Sequence, residues 1–111
     1  MSALAGALTG CAGGQADLRS ALESYDPGHR ISAVKRIAAE GRVALAPALV
    51  DRLDDEDVAV RLAAIAALEQ LTGKRFGYKP WDPPEQRRAA VDAWRLHIRA
   101  EAARTSCTAP P

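Results

Sequence analysis

One eleven-residue pattern occurs three times and constrains this chain more than any other feature. Pro27-x-x-Arg30-x-x-Ala33-Val34-x-x-Ile37 matches Val58-x-x-Arg61-x-x-Ala64-Ile65-x-x-Leu68, and again Pro84-x-x-Arg87-x-x-Ala90-Val91-x-x-Trp94. Arg61 follows Arg30 by 31 residues, and Arg87 follows Arg61 by 26. Steps of three and four place the small residue and the two larger apolar ones on one helix face, with the arginine near the helix start. A unit this short cannot bury its stripe alone, so neighbouring copies must stack.

The composition agrees with helices throughout. Alanine and leucine, both strong helix formers, supply most of the apolar residues, aromatics make up only 5%, and β-branched residues are scattered singly. Five helices are expected. The first runs near Gln15–Tyr25 on the stripe Leu18, Ala21, Leu22 and Tyr25, and the second starts at Asp26-Pro27 and stops at Gly41. The third covers Arg42–Leu53, the fourth Val58–Leu71 after the acidic run Asp54–Asp57, and the fifth Pro84 to about Ala102. The expected fold is an all-α, short α-solenoid. Its core should hold Leu22, Val34, Ile37, Leu45, Leu49, Leu53, Ile65, Leu68, Val91 and Trp94.

Asp54-Asp55-x-Asp57-x-x-Val60-Arg61-x-x-Ala64 resembles the signature of HEAT repeats, especially the short bacterial type: an acidic turn, Val-Arg, then an alanine-rich helix. The segment Leu71–Tyr78, followed by Pro83-Pro84-Glu85 and the Trp94 helix, is similar to the C-terminal ending of many such proteins. The resemblance covers about residues 26–99 and implies HEAT-like helix pairs, with one complete pair and partial units beside it. It also implies that Arg30, Arg61 and Arg87 form a structural ladder to acidic turn residues of the neighbouring unit, here Asp26 or Asp57. A row of arginines binding an anionic partner is the alternative.

At the N-terminus, Leu8-Thr9-Gly10-Cys11 resembles the lipobox of bacterial lipoproteins, in which the cysteine is lipidated. Residues 1–14 then read as a signal remnant and flexible tether, 15–104 as the helical domain, and 105–111 as a disordered tail. A charged n-region is missing and the apolar run is short, so the true start is expected upstream. An Ala/Gly-rich terminus with an incidental cysteine is the other reading.

The formal charge of +1, with acids and bases interleaved, gives no push towards nucleic acid. No catalytic or metal-binding constellation is apparent. Asp54–Asp57 lacks the spacing of a calcium loop, His29 and His97 have no ligand-spaced neighbour, and Ser32 and Ser106 lie in no nucleophile elbow. Cys107 reads as an incidental thiol. The loop Phe76–Pro83 holds three of the five aromatic residues. Tyr78 and Trp81, with Lys79 and Arg75, are candidate partner-binding residues; alternatively, the loop's rings fold back over the open end of the stack, as expected for Phe76.

The function expected is therefore a non-catalytic protein–protein interaction module without cofactor. It would be lipid-anchored through Cys11 in the bacterial cell envelope, with self-association possible on its uncovered helix edges. An accessory or lyase-like factor handling a small ligand or chromophore is the alternative, and a cytosolic scaffold follows if the lipobox is coincidental.

Overall fold

The structure, a computed structural model, describes residues 14–107, with side chains through residue 104. Among the described residues there are five α-helices, one 3-10 turn and no strand: α1 (residues 14–21), α2 (Pro27–Ala39), the 3-10 turn Val43–Leu45, α3 (Ala46–Arg52), α4 (Val58–Thr72) and α5 (Pro84–Cys107). α2 packs along α4, and α3 lies against both α4 and α5. All ten expected core residues are buried in one cluster between these helices. This is a short all-α solenoid.

The first helix ends earlier than its apolar spacing suggests. Glu23 and Ser24 donate to the carbonyls of Ser20 and Ala21 (3.0 and 3.1 Å), tightening the chain out of α1. Pro27 then holds Asp26 extended (φ −86°, ψ 118°), as a proline does to the residue before it. Tyr25, expected on the buried stripe, is thrown fully into solvent.

Helix ends follow capping chemistry. Asp26 Oδ1 accepts the Gly28 N–H and Asp57 Oδ1 the Ala59 N–H, each at 2.8 Å, so α2 and α4 begin in the same way. After α2, Gly41 adopts φ 62°, and the N–H groups of Gly41 and Arg42 return to the carbonyls of Ala38 and Ile37 (both 3.1 Å), satisfying the helix end. α4 stops at Gly73, whose φ of 77° suits a residue without Cβ. The expected third helix is divided. Pro47 has no N–H to give, so Val43–Leu45 closes as a 3-10 turn and the α-helix proper starts at Ala46.

Where a further helix pair would place its first helix, the chain runs as a loop over residues 73–83. Tyr78 fills that space. It is 1% exposed, and its hydroxyl donates to the Leu53 carbonyl at 2.5 Å. Trp94 Nε1 donates to the Arg75 carbonyl (3.2 Å), and the Phe76 ring meets Trp94 edge-on at 4.8 Å. α5 continues beyond Ala102 to Cys107, so the first residues of the expected tail are helical.

Candidate functional site

The three repeated arginines define the molecule's most regular polar construction. Nη1 of Arg30 donates to the carbonyls of Ser24 (2.8 Å) and Tyr25 (3.3 Å), six and five residues back. Nη1 of Arg61 donates to the corresponding carbonyls of Asp55 (2.7 Å) and Glu56 (3.2 Å). Nη1 of Arg87 donates to the Asp82 carbonyl (2.8 Å), also five residues back. Each arginine thus folds over its own helix start and ties down the turn before it.

Two of them also reach the next turn. Arg30 Nη2 donates to Asp55 Oδ1 (3.0 Å), with Nε 2.9 Å from Oδ2 as an ion-pair contact, both residues being buried. Arg61 Nε donates to the Pro80 carbonyl at 3.0 Å. Arg52 adds a second tie, donating to the Leu22 carbonyl (3.1 Å) and approaching Asp55 Oδ2 (3.3 Å). The turns before α2, α4 and α5 are therefore bonded in sequence, first to second and second to third. Arg87 Nε, at the last position, is buried with no hydrogen-bond partner among the described residues.

The expectation that Asp26 or Asp57 would pair with the arginines is corrected. Both carboxylates are committed to helix caps on the outer side of their turns. The carboxylate that faces inward is Asp55, which also accepts the Asp57 N–H (2.9 Å). Ser24 occupies the equivalent place in the first turn, accepting the Asp26 N–H at 3.2 Å. Sequence reasoning missed Asp55 because four consecutive acids look alike; its position two residues before the cap, matched by Ser24, was the signal.

The four candidate partner-binding residues do not form one patch. Tyr78 is sealed in the core, a correction that follows from the vacant helix position it fills. Burial raises its phenol pKa; the Arg61 and Arg87 charges oppose that and Asp54 and Asp82 reinforce it. Arg75 is held at the far end of α4, donating to Glu69 Oε1 (3.0 Å). Lys79 is exposed, and Trp81, in the turn before α5, is 69% exposed. Trp81 therefore shares the stacked-turn edge with Tyr25 (100% exposed) and Val58 (51%), two residues that the sequence reading did not select.

Other chemistry is sparse around this edge. His29 Nδ1 lies 3.4 Å from Ser24 Oγ, and Nε2 lies 3.8 Å from Asp26 Oδ2, with the His29 and Asp26 side chains well exposed. These separations exceed the reach of a working proton relay, and Ser24 Oγ already accepts a backbone N–H. At the opposite end of the stack, the overhanging half of α5 and the 3-10 turn flank an apolar groove of about 500 Å³, with Val43, Pro47, Leu71 and Ile98 in its walls. Among the described residues no group of three or more His, Cys, Asp or Glu could hold a metal ion, and no helix is long and apolar enough to cross a membrane. Cys11 lies outside the described residues.

The family model for HEAT repeats matches residues 2–75, two thirds of the 111-residue chain. The chain belongs to the HEAT-repeat family. In HEAT terms, α1 with α2 and the 3-10 turn–α3 with α4 are two helix pairs, and α5 is the second helix of a third pair whose first helix is replaced by loop 73–83. The match ends at residue 75, inside that loop. No curated protein and no solved structure matches the chain.

Proposed function

We propose that this HEAT-repeat chain is a non-catalytic protein–protein interaction module, held in the bacterial cell envelope by a lipid on Cys11. HEAT repeats generally mediate protein–protein contacts. The observation that carries the reading here is the exposure of Trp81, at 69%, on a turn fixed to its neighbour by Arg61. A tryptophan presented on an ordered frame loses little entropy on binding, and such residues dominate interface energies. The lipobox pattern Leu8–Cys11 supports the anchor. Acyl chains at Cys11 would contribute about 0.8 kcal/mol per buried CH₂, so two or more would hold the domain at a membrane.

The test uses the protein expressed in its own host from the full upstream reading frame. Intact mass and membrane fractionation should give a membrane-bound product starting at Cys11 with added acyl mass. An unmodified product retaining residues 1–10 would remove the anchor and leave those residues to the repeat, where the family match begins. Affinity purification of that product should recover a stoichiometric protein partner that Trp81→Ala fails to recover. A monomer that captures nothing in light scattering and pull-down would overturn the module.

A further inference from the structure

The anchor position and the turn edge belong to opposite ends of the molecule. α2 and α4 begin at the stacked turns and end at the far side, while α1 and α3 run back towards the turns. The start of α1 therefore lies beside the end of α2: a Cβ on Gly14 would stand 3.3 Å from Arg42 Nη2. Arg42 directly precedes Val43, a wall residue of the apolar groove. Cys11 comes three residues before Gly14, so at most roughly 10 Å of chain separates it from the fold. A lipid on Cys11 would enter a bilayer next to the groove.

That end of the stack is apolar at its centre and basic around it. Val43 (59% exposed), Ala44 and Pro47 stand open on one wall of the groove, and Leu71 and Ile98 are half-buried in it. Phe76, 39% exposed, lies against His97 of the groove (5.3 Å between ring centres) and extends the apolar surface. The segments that make up this end are residues 14–17, 35–42, 69–76 and 99–104. They carry seven lysines and arginines against four acids, whereas the remaining described residues carry eight against ten. Three of the four acids are already held: Glu40 by Arg36 and Arg42, Glu69 by Arg75, and Glu101 by Arg104. Lys74 on the groove's rim and Arg99 beside Ile98 are exposed and in no ion pair among the described residues. A nearly neutral protein thus concentrates its positive charge at the end where the chain leads to Cys11. Apolar side chains flanked by uncommitted lysine and arginine suit the boundary between anionic headgroups and acyl chains.

We propose that the groove end is the membrane-facing surface of the lipid-anchored protein. Lys74 and Arg99 meet the headgroups of an anionic phospholipid layer, and Val43, Pro47 and Phe76 meet its acyl boundary. The turn edge with Trp81 then points away from the bilayer. The proposal rests on the lipid-anchor reading and adds to it the orientation of the domain.

The test uses the full chain with Cys107→Ser, which keeps Cys11 as its single thiol. Cys11 is coupled to a maleimide phospholipid in vesicles of phosphatidylglycerol brominated on the acyl chains. This coupling replaces the host's lipidation, so failure of the anchor reading in the cell and failure of the orientation are separate results. Bromine quenches tryptophan at short range, and Trp94, fully buried, gives a constant background. In the Trp81→Phe, Val43→Trp chain, emission should fall at least about twofold relative to unbrominated vesicles, since interfacial side chains sit roughly 5–10 Å into the boundary. In the chain that keeps Trp81 and Val43, emission should stay within about a tenth, because Trp81 lies roughly 20 Å away, the length of α4. Lys74→Glu should remove at least about half of the quenching, and Lys79→Glu, the same charge change near the turn edge, should leave it in place.

Far-UV circular dichroism checks that each variant is folded. Equal quenching of both tryptophan positions, or of neither, would overturn the proposal. Equal loss from Lys74→Glu and Lys79→Glu would reduce the effect to net charge and overturn it as well. Undiminished quenching in brominated phosphatidylcholine would do the same, because a neutral layer offers the cations nothing to pair with.

Discussion

Asp55 is the residue on which the turn stack depends most. It receives Arg30, Arg52 and the Asp57 N–H while buried, so replacing it leaves the Arg30 guanidinium without a carboxylate in the interior. Asp55→Ala should cost about 3 kcal/mol or more in urea unfolding, in the range for breaking one side of a buried pair. The capping acids are a different case. Asp26→Ala and Asp57→Ala each lose one exposed cap bond and should cost about 1 kcal/mol. Equal effects from the three substitutions would contradict the assignment of Asp55 as the inward partner. Tyr78 gives a pH-dependent test. Burial raises its pKa above the usual phenol value, so the folded state keeps the proton longer than the unfolded chain. Its contribution is therefore complete below about pH 10, the unfolded value, and is lost as pH rises through the folded one. Tyr78→Phe should lower stability at neutral pH by about 1–2 kcal/mol, through the orphaned Leu53 carbonyl, and should reduce the loss above pH 10.

At the scale of elements, the loop 73–83 and α5 work as a pair. The loop supplies Tyr78 and Phe76 to cover what a missing helix would cover, and α5 supplies Trp94 to receive them. Trp94→Ala should therefore cost about 3–5 kcal/mol, whereas Trp81→Ala, on the same loop–helix unit but exposed, should stay within about 0.5 kcal/mol. Thermal unfolding of the two variants checks this contrast. Which ring points inward was not legible in the sequence. Phe76, Tyr78 and Trp81 are spaced too irregularly for a period to sort them, and a loop's direction is set by its φ values. Phe76 and Gly77 are both left-handed (φ 55° and 71°), and that bend turns Tyr78 under the stack. Helices, by contrast, were legible from spacing and caps. Pro27, Gly41, Asp57, Gly73 and Pro84 mark their ends by local chemistry alone. The arginine repeat was legible as a repeat, but its acceptors are mostly backbone carbonyls, which no side-chain pattern announces.

Across the whole molecule, buried apolar faces hold the helices together while the arginine ties hold the turns in register. The first would serve any helical bundle; the second leaves one edge ordered, with Tyr25 and Trp81 exposed on it. The long face of α5 is charged, as suits the end of a repeat stack, and the stacked-turn edge with Trp81 is the surface we propose for the partner. Site-specific photo-crosslinking in the native host tests that claim most directly, with the crosslinking residue placed at position 81 or, for comparison, at position 101 on the overhanging end of α5. A discrete protein adduct is expected from position 81 and none from position 101. Adducts from position 101 alone, or from neither position, would contradict it.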